Sequence, residues 1–413
     1  MQLATSGQES PFPFFAEGDP SHQEVIFGIG SSSHVGEKIK GFGNRALLVT
    51  DDGLTQAGHV DPIRESLALH GIEVFTYDQS IENPTDSSVQ ACVQFARPLE
   101  VDLIIGLGGG SSMDTAKGCN FLLTNGGKMA DYWGVDKASK AMLPFVAIPT
   151  TAGTGSECQS FALISDDLTH QKMACGDSKA LPSLTVLDPE LTVSQPHRVT
   201  ACTGVDALAH ALESAVSSKR NSASFRHARI AFQLLEKNLP QVLSFPHDLD
   251  ARGQVLVGAS HAGAAIERSM LGAAHSMANP LTAQKGIVHG VAVGISLPGV
   301  MAYNAEDEEV CSIYAHLACL ANLATTDDSE DKAAHALIRR VHKLLDLAGL
   351  PKSLVELGFS SSDVPTLARD AAEQWTANFN PRSVTTSDFE NLYSQLLAGI
   401  GYDFSSLEGK VRD

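Results

Sequence analysis

The sequence predicts two domains of different class: an α/β N-terminal domain with a largely parallel sheet, and an all-α C-terminal domain. In the first half, short apolar runs alternate with helical patterns, which is typical of a parallel sheet covered by helices. From about residue 196 onward, helical patterns follow one another without a strand pattern between them. We therefore predict domains over residues 1–195 and 196–413.

Five apolar runs are the predicted strands of the first domain. The run at residues 103–107 is apolar throughout, so we expect it to be buried on both faces of the sheet. The other four occupy residues 46–50, 74–77, 145–149 and 184–187. Helical patterns at residues 63–70 and 89–96 lie between strands, as connections in a parallel sheet require.

Three helical patterns stand out in the second domain. Residues 223–239 form one, and residues 251–277 form a long segment rich in Ala, Gly and Ser, whose small side chains allow helices to pack closely. The third pattern has apolar residues at helical spacing between residues 337 and 345, and it ends at Gly349-Leu350-Pro351.

Composition limits the classes of function. A chain of 413 residues is long enough for two cores, and its net charge of −19 argues against nucleic acid, because phosphate contacts need clustered Lys and Arg. Seven scattered cysteines without a CxxC pair are typical of free thiols in a reducing compartment. Residues 1–13 lack the features of a secretory signal, and no apolar run reaches membrane-spanning length, so we expect a cytoplasmic protein.

A glycine-rich turn follows the strongest predicted strand. Gly108, Gly109 and Gly110 precede Ser111 and a helical pattern, so free backbone N–H groups are predicted at a helix N-terminus, where anions bind. One interpretation is a site for the pyrophosphate of a dinucleotide, and the other is a tight strand–helix turn. Three consecutive glycines favour the pyrophosphate, since one glycine usually suffices for a turn.

A second polar turn follows the next strand and contains Thr150, Thr151 and Thr154. Its hydroxyls suit phosphate, ribose or a nicotinamide amide, but an ordinary surface loop explains them equally well. If both turns belong to one parallel sheet, they lie at the same edge, where ligands bind. Asp51 follows another strand; it is interpreted either as a ligand of an adenosine ribose, which would favour NAD over NADP, or as a helix N-cap.

The second domain contains a candidate metal centre. Asp206 and His210 are four residues apart in a helical pattern, so they share one helix face, about 5–6 Å apart at Cβ. His275 and His289 follow among small residues, and one Asp with three His suits a divalent transition metal. A structural role explains each residue alone, whereas the four together favour ligation. Glu213 is interpreted either as a partner of a ligand or as an exposed charge.

These motifs, in this order, resemble those of the iron-containing alcohol dehydrogenase family, often called group III. The resemblance extends from about residue 14 to the last helical patterns. The segments that carry it are residues 49–51, 83–85, 108–111 with Asp114 and Lys117, 149–157, 188–191, 204–213, and the surroundings of His275 and His289.

The resemblance implies a Rossmann-like nucleotide-binding domain, a helical domain and an active site in the cleft between them. It implies that Asp206, His210, His275 and His289 bind a metal, with Fe²⁺ favoured and Zn²⁺ also suited. It also implies NAD rather than NADP, a small-molecule alcohol or aldehyde as substrate, and a homodimer. The lack of a long apolar run predicts no membrane partner. The residues that match cofactor-binding positions are Asp51, Asn83, Gly108, Gly109, Gly110, Ser111, Asp114, Thr150, Thr151, Thr154 and Lys172.

One position departs from the family pattern. Many relatives have a second histidine four residues after the third ligand, where it is thought to help relay the alcohol proton; this sequence has Asn279. An amide forms hydrogen bonds but does not titrate near neutral pH. The departure implies that the proton leaves through water and ribose hydroxyls, that the pH profile differs, or that the substrate is unusual.

The resulting hypothesis is the reversible oxidation of an alcohol to an aldehyde or ketone, with hydride transfer to a nicotinamide cofactor. One alternative is a lyase or cyclase of the dehydroquinate synthase type, which also uses NAD and a metal. Another is a non-catalytic nucleotide-binding relative. A redox assay at the nicotinamide absorption band separates a dehydrogenase from a cyclase, because a cyclase shows no net cofactor turnover.

Overall fold

The computed structural model describes residues 23–169 and 171–399. Residues 1–13, considered above for a secretory signal, lie outside the described residues. The chain divides into two compact units. The N-terminal unit comprises the described residues up to Pro196 together with Pro246–Gly263, and the helical unit comprises His197–Phe245 and the described residues from Ala264 onward.

Nine strands are present in the described part of the N-terminal unit. They are β1 (Glu24–Phe27), β2 (Arg45–Val49), β3 (Glu73–Tyr77), β4 (Leu103–Gly108), β5 (Gly134–Val135), β6 (Phe145–Pro149), β7 (Phe161–Ser165), β8 (Lys172–Gly176) and β9 (Leu184–Leu187). The helices of this unit that precede Pro196 are α1 (Val35–Lys38), α2 (Asp52–Gln56), α3 (Val60–Leu69), α4 (Asp86–Ala96) and α5 (Gly110–Asn125).

Six of the strands form a parallel sheet in the order β1-β9-β6-β4-β2-β3. Every residue of β4, β6 and β9 is buried, because helices cover both faces of the sheet. Ile104 belongs to a core that includes residues of α4 and α5, whereas its neighbour Ile105 belongs to the core that includes α3. The predicted class of this part of the chain, and its five predicted strands, are confirmed.

The sequence did not predict β1 or a second, smaller sheet. The smaller sheet has the order β5-β8-β7, in which β7 and β8 pair antiparallel. Two residues in β5 and four in β1 are too few to establish a periodicity, so a pattern search cannot distinguish them from loop.

After Pro196, the described residues form helices and turns, as the sequence predicts. The helices are α6 (His197–Val216), α7 (Ser222–Ser244), α8 (Leu249–Ser269), α9 (Ala273–Lys285), α10 (His289–Asn304), α11 (Glu308–Leu320), α12 (Glu330–Leu347), α13 (Val364–Ala372) and α14 (Thr386–Leu397). Within the described residues, no helix combines the length and hydrophobicity that a bilayer crossing demands.

The small-residue segment at 251–277 is divided between two helices. α8 ends at Ser269, and α9 begins at Ala273 after Gly272 as its N-cap. Met270 between them has φ of 82°, in the left-handed region, which cannot continue a right-handed helix. Because of the break, α9 begins two residues before His275.

Candidate functional site

Four side chains from three helices of the helical unit converge on one point. Asp206 and His210 lie on α6, while His275 lies in the first turn of α9 and His289 begins α10. Oδ1 of Asp206 is 3.5 Å from Nε2 of His210, 3.5 Å from Nε2 of His275 and 3.8 Å from Nε2 of His289. The structure thus brings together the four residues that the sequence singled out.

The separations fit a shared cation. Two ligand atoms about 2.1 Å from one ion, at a tetrahedral angle, are about 3.4 Å apart. Oδ1 of Asp206 and Nε2 of His275 are also buried without a hydrogen-bond partner within the described part of the chain. Leaving such atoms unsatisfied is costly, and an ion at their centre would satisfy both. The geometry and the donor set therefore both suit a divalent metal.

The four side chains differ in exposure. The side chains of Asp206, His210 and His275 are between 4% and 7% exposed, whereas that of His289 is 33% exposed. His289 is the first residue of α10 and follows the exposed Val288, so no earlier turn of the helix covers it. Three of the four side chains are thus buried, whereas His289 is partly exposed.

Glu213 holds the start of α9 and the ring of His275. Its Oε2 accepts a hydrogen bond from Nδ1 of His275, and its Oε1 accepts one from the backbone N–H of Ala274 at 2.7 Å. With Nδ1 donating, the lone pair of the ring is at Nε2, the atom nearest Asp206. Glu213 is only 4% exposed, so the interpretation of this residue as an exposed charge is wrong.

The charges of the cluster favour a cation. Burial by itself would raise the pKa of Asp206, but His210, His275 and His289 outweigh it and hold the pKa well below its usual range. Burial would likewise lower the pKa of His275, yet Glu213 and Asp206 raise it to about 9. The same two carboxylates that stabilise a proton on His275 would stabilise a metal ion beside it.

The predicted cofactor-binding turns lie at one edge of the large sheet. β2, β4 and β6 are parallel neighbours, and their carboxyl ends lead to Asp51, to Gly109 and to Thr150 respectively. α5 begins at Gly110, and no side chain caps its N-terminus. Its first backbone N–H groups and the positive end of its helix dipole therefore offer an anion site.

The two turns pack against each other, and glycine is required for that contact. A Cβ on Gly110 would lie 2.9 Å from Cγ2 of Thr154, and one on Gly109 would lie 3.3 Å from Oγ1 of Thr151. Gly108 has φ of 146°, which other residues rarely adopt. The close approach at Gly109 and Gly110, together with the φ of Gly108, explains why three glycines are needed where a simple turn needs one.

Two further predicted residues lie in loops that follow β2 and β3. The backbone N–H of Asn83 donates to Oγ of Ser111 at 3.2 Å, so the loop after β3 meets the glycine turn. Oδ1 of Asp51 accepts from the backbone N–H of Leu54 at 3.0 Å, which makes it the N-cap of α2. The capping interpretation of Asp51 is therefore correct, and contact with a ribose stays a prediction.

Asp114 and Lys117 fasten the second turn to α5. Oδ1 of Asp114 accepts from Oγ of Ser156 at 3.3 Å, while Nζ of Lys117 donates to the carbonyl oxygens of Ser156 at 2.6 Å and Phe161 at 3.0 Å. Burial raises the pKa of Asp114 to about 6, although Lys117 and Lys172 lower it. Lys172 itself is exposed at the start of β8.

Residues 22–189 match the family model described as iron-containing alcohol dehydrogenase, and residues 200–397 match the model of the family's C-terminal part. The chain belongs to the iron-containing alcohol dehydrogenase family. As a member of the family it is an oxidoreductase of the alcohol dehydrogenase type. Both models describe alcohol dehydrogenases, so the matches favour a dehydrogenase over a cyclase of the dehydroquinate synthase type.

Similar proteins support this assignment to the iron-containing alcohol dehydrogenases. The chain is 34% identical to alcohol dehydrogenase 4 of Schizosaccharomyces pombe, over 90% of this chain and 87% of that one. It is 32% identical to the NAD-dependent methanol dehydrogenase of Bacillus methanolicus, over 90% and 97%. The crystal structure of a 1,3-propanediol oxidoreductase superposes with a TM-score of 0.87 at 33% identity, covering 91% of this chain and 98% of that one.

Asn279, at the position where the resemblance predicts a second histidine, belongs to a chain of amides. Its Nδ2 donates to Oε1 of Gln374 at 2.9 Å, and Nε2 of Gln374 donates to the carbonyl oxygen of Asp370 at 3.1 Å. Because a carbonyl oxygen can only accept, the orientation of both amides is fixed. Oδ1 of Asn279 is left as an acceptor on the helix face that it shares with His275.

Sequence reasoning missed Gln374 and the anchoring role of Lys117. Gln374 lies 95 residues from Asn279, and no periodicity or motif links the two positions. The sequence indicates Lys117 only as part of the glycine-turn motif. The signal available for Lys117 was its place on a buried helix, because a buried lysine needs hydrogen-bond acceptors.

Proposed function

We propose that this chain is an NAD-dependent alcohol dehydrogenase that uses a divalent metal, Fe²⁺ in preference to Zn²⁺, to oxidise small alcohols reversibly. The observation that carries the proposal is the approach of three imidazole nitrogens to within 3.5–3.8 Å of one oxygen of Asp206. When bound, the metal would act as a Lewis acid on the alcohol oxygen, and the nicotinamide would accept the hydride.

The protein's own groups would prepare that chemistry. Asp206 would be the single anionic ligand beside three neutral imidazoles, so a divalent ion would leave a net positive charge that favours negative charge on the substrate oxygen. Glu213 would keep the proton of His275 on Nδ1 and leave Nε2 available as a ligand. Asn279 would accept a hydrogen bond without changing its charge.

The sheet edge would hold the cofactor. We propose that the first N–H groups of α5, with Gly109, Gly110 and Ser111, bind the pyrophosphate. Asp114 and Lys172 would border that site. The remaining predicted contacts are Asp51 with the adenosine ribose, Asn83 and Gly108 with the phosphates, and Thr150, Thr151 and Thr154 with the nicotinamide side. Asp51 supports NAD over NADP, because a carboxylate repels a 2′-phosphate.

Two substitutions test the metal centre. We expect Asp206→Ala and His275→Ala to lower both bound metal, measured by elemental analysis, and turnover, measured at the nicotinamide absorption band. His316→Ala removes an exposed histidine from α11 of the same unit and is the matched control, for which both quantities should stay at wild-type levels. Activity that persists in metal-free buffer would contradict the Lewis-acid role.

The substrate class is tested with a panel of alcohols. Similar proteins named as methanol, 1,3-propanediol and choline dehydrogenases support a short polar alcohol here, and one named as a long-chain-alcohol dehydrogenase makes a long-chain alcohol the comparison in the panel. We expect kcat/KM to be highest for a short alcohol with NAD, and to fall when NADP replaces it. A preference for NADP would contradict the proposed role of Asp51.

We also propose that the protein is a cytoplasmic homodimer that does not bind nucleic acid. None of its seven cysteines, all within the described residues, forms a disulfide, which supports a reducing compartment. The net charge of −19 argues against phosphate backbones as partners, and the resemblance supports a dimer. Light scattering during size-exclusion chromatography tests the dimer, and a mobility-shift assay tests the absence of nucleic-acid binding.

A further inference from the structure

A short segment, residues 379–382, contacts α9, α10 and the residues just after α6, and these three helices carry the proposed ligands. The backbone N–H of Ser218, just after α6, donates to the carbonyl oxygen of Phe379 at 2.8 Å. The backbone N–H of Ala273, at the start of α9, donates to Oδ1 of Asn380 at 3.2 Å. At the end of α10, the carbonyl oxygen of Tyr303 accepts from Nη1 of Arg382 at 2.7 Å.

Asn380 uses the whole hydrogen-bonding capacity of a buried amide. Besides the N–H of Ala273, its Oδ1 accepts from Nδ2 of Asn304 at 3.1 Å. Its Nδ2 donates to Oδ1 of Asn304 and to the carbonyl oxygen of Arg382, both at 2.7 Å. An amide with two donors and a two-fold acceptor fits these four bonds, and a shorter or apolar side chain would leave buried groups unpaired.

The start of α9 is enclosed between Asn380 and Glu213. A Cβ on Gly272 would lie 2.9 Å from Oδ1 of Asn380 and 3.1 Å from Oε1 of Glu213. Consecutive backbone N–H groups are divided between the two side chains: that of Ala273 donates to Asn380, and that of Ala274 donates to Glu213. The next residue is His275, so a shift of this turn moves a proposed ligand.

Arg382 fixes the far end of α10. Its guanidinium pairs with Glu306 at 2.7 Å and lies over the ring of Tyr303, 4.0 Å from the centroid. The hydroxyl of Tyr303 in turn donates to the carbonyl oxygen of Ser383 at 2.6 Å. These contacts hold the C-terminus of the helix whose N-terminus is His289.

We propose that Asn380 and Arg382 are positioning residues for the metal centre. Through the backbone N–H of Ala273 and the backbone carbonyl of Tyr303, they hold α9 and α10 where His275 and His289 meet Asp206. The inference rests on the proposed function, because it assumes a metal bound by those residues. It assigns control of metal affinity to a segment about a hundred residues downstream of His275, the proposed ligand on α9.

Metal affinity and folding stability, measured together, test this proposal. We expect Asn380→Ala to weaken metal binding about tenfold, measured by competition of Fe²⁺ or Zn²⁺ with a chelator. Arg382→Met, at a residue whose side chain is 34% exposed, should fold and weaken binding in the same direction by a smaller factor. Asn378→Ala removes an exposed amide two residues away and should bind metal as the wild type does.

Each outcome bears on the proposal in a defined way. Weaker metal binding in Arg382→Met, with the metal-free protein folded, supports it even if Asn380→Ala fails to fold. An equal loss of thermal stability with and without metal, at unchanged affinity, means that the segment is merely structural and overturns the inference. If Asp206→Ala loses metal in that same experiment, the proposed function still stands. A wild-type protein that binds no metal overturns both.

Discussion

At the scale of single residues, the position of Asn279 combines a fixed geometry with a neutral side chain. The backbone carbonyl of Asp370 orients Gln374, and Gln374 orients Asn279. The result is a hydrogen-bond acceptor that keeps the same charge at every pH at which the protein is folded. An imidazole at this position would instead change its charge near pH 6.5.

Substitution Asn279→His therefore has a clear expected outcome. The pH profile of kcat/KM should gain an ionisation near pH 6.5 that the wild type lacks. Gln374→Leu, which removes the partner of Asn279 without adding a titratable group, is the control and should alter kcat/KM without adding that ionisation. Profiles of the same shape for wild type and Asn279→His would show that this position takes no part in proton transfer.

At the scale of helices, the ligands can meet only because α6 and α10 pack with their backbones close together. A Cβ on Gly290 would overlap the backbone carbonyl of Cys202, so only glycine allows this distance. Gly290 follows His289 directly, and Cys202 lies one turn before Asp206 on α6. Helix spacing and ligand geometry are thus set by the same contact.

Gly290→Ala should separate these helices. We expect the free energy of unfolding to fall by about 2 kcal/mol or more, because backbone atoms cannot move aside as a side chain can. Metal binding should also weaken. Gly299→Ala on the same helix is the matched control: its Cβ would meet only Leu392, at 3.7 Å, so stability should hold or rise. Equal behaviour of the two variants in urea unfolding would refute the argument.

On α5, Asp114 gives the N-terminal unit a pH dependence that can be measured. Burial raises its pKa from the ordinary value of 3.8 to about 6, so the native state holds this proton between pH 4 and 6 while the unfolded chain releases it. The contribution of Asp114 to the free energy of unfolding should therefore fall as the pH rises through this window, by on the order of 2–3 kcal/mol.

Urea unfolding of wild type and Asp114→Asn at pH 4 and pH 7 measures that contribution. The isosteric amide removes the ionisation, so the stability of wild type relative to the variant should be higher at pH 4 than at pH 7. Asp52→Asn, which removes an exposed carboxylate from α2, controls for the loss of a surface charge. A difference that is the same at both pH values would contradict the assignment.

At the scale of the whole molecule, metal binding should increase the stability of the folded chain. A ligand that binds only the folded chain stabilises it by about 2.7 kcal/mol at a hundred times its Kd. We expect removal of the metal with a chelator to lower the midpoint of thermal unfolding, and added Fe²⁺ or Zn²⁺ to restore it. The unfolding midpoint of Asp206→Ala should not depend on metal. A wild-type midpoint that does not change with metal would contradict the proposed centre.

Much of the fold follows from local patterns in the sequence. The apolar runs that become β2, β3, β4, β6 and β9 are visible because a strand buried on both faces needs uninterrupted apolar residues. The break at Met270 and Gly272 is less visible, since the small residues around it suit helix and turn equally. The short strands of the second sheet depend on partners distant in the chain, which no local pattern reveals.

The sequence alone determined which residues could form the metal centre, because Asp206 and His210 share a helix face through a spacing that the chain itself carries. It also determined which positions between a strand and a helix require glycine. Only the tertiary structure decided that His275 and His289 reach the same carboxylate, that Glu213 is buried against a ligand, and that Asn380 holds the start of α9. Those facts depend on distances between segments far apart in the chain, which packing sets.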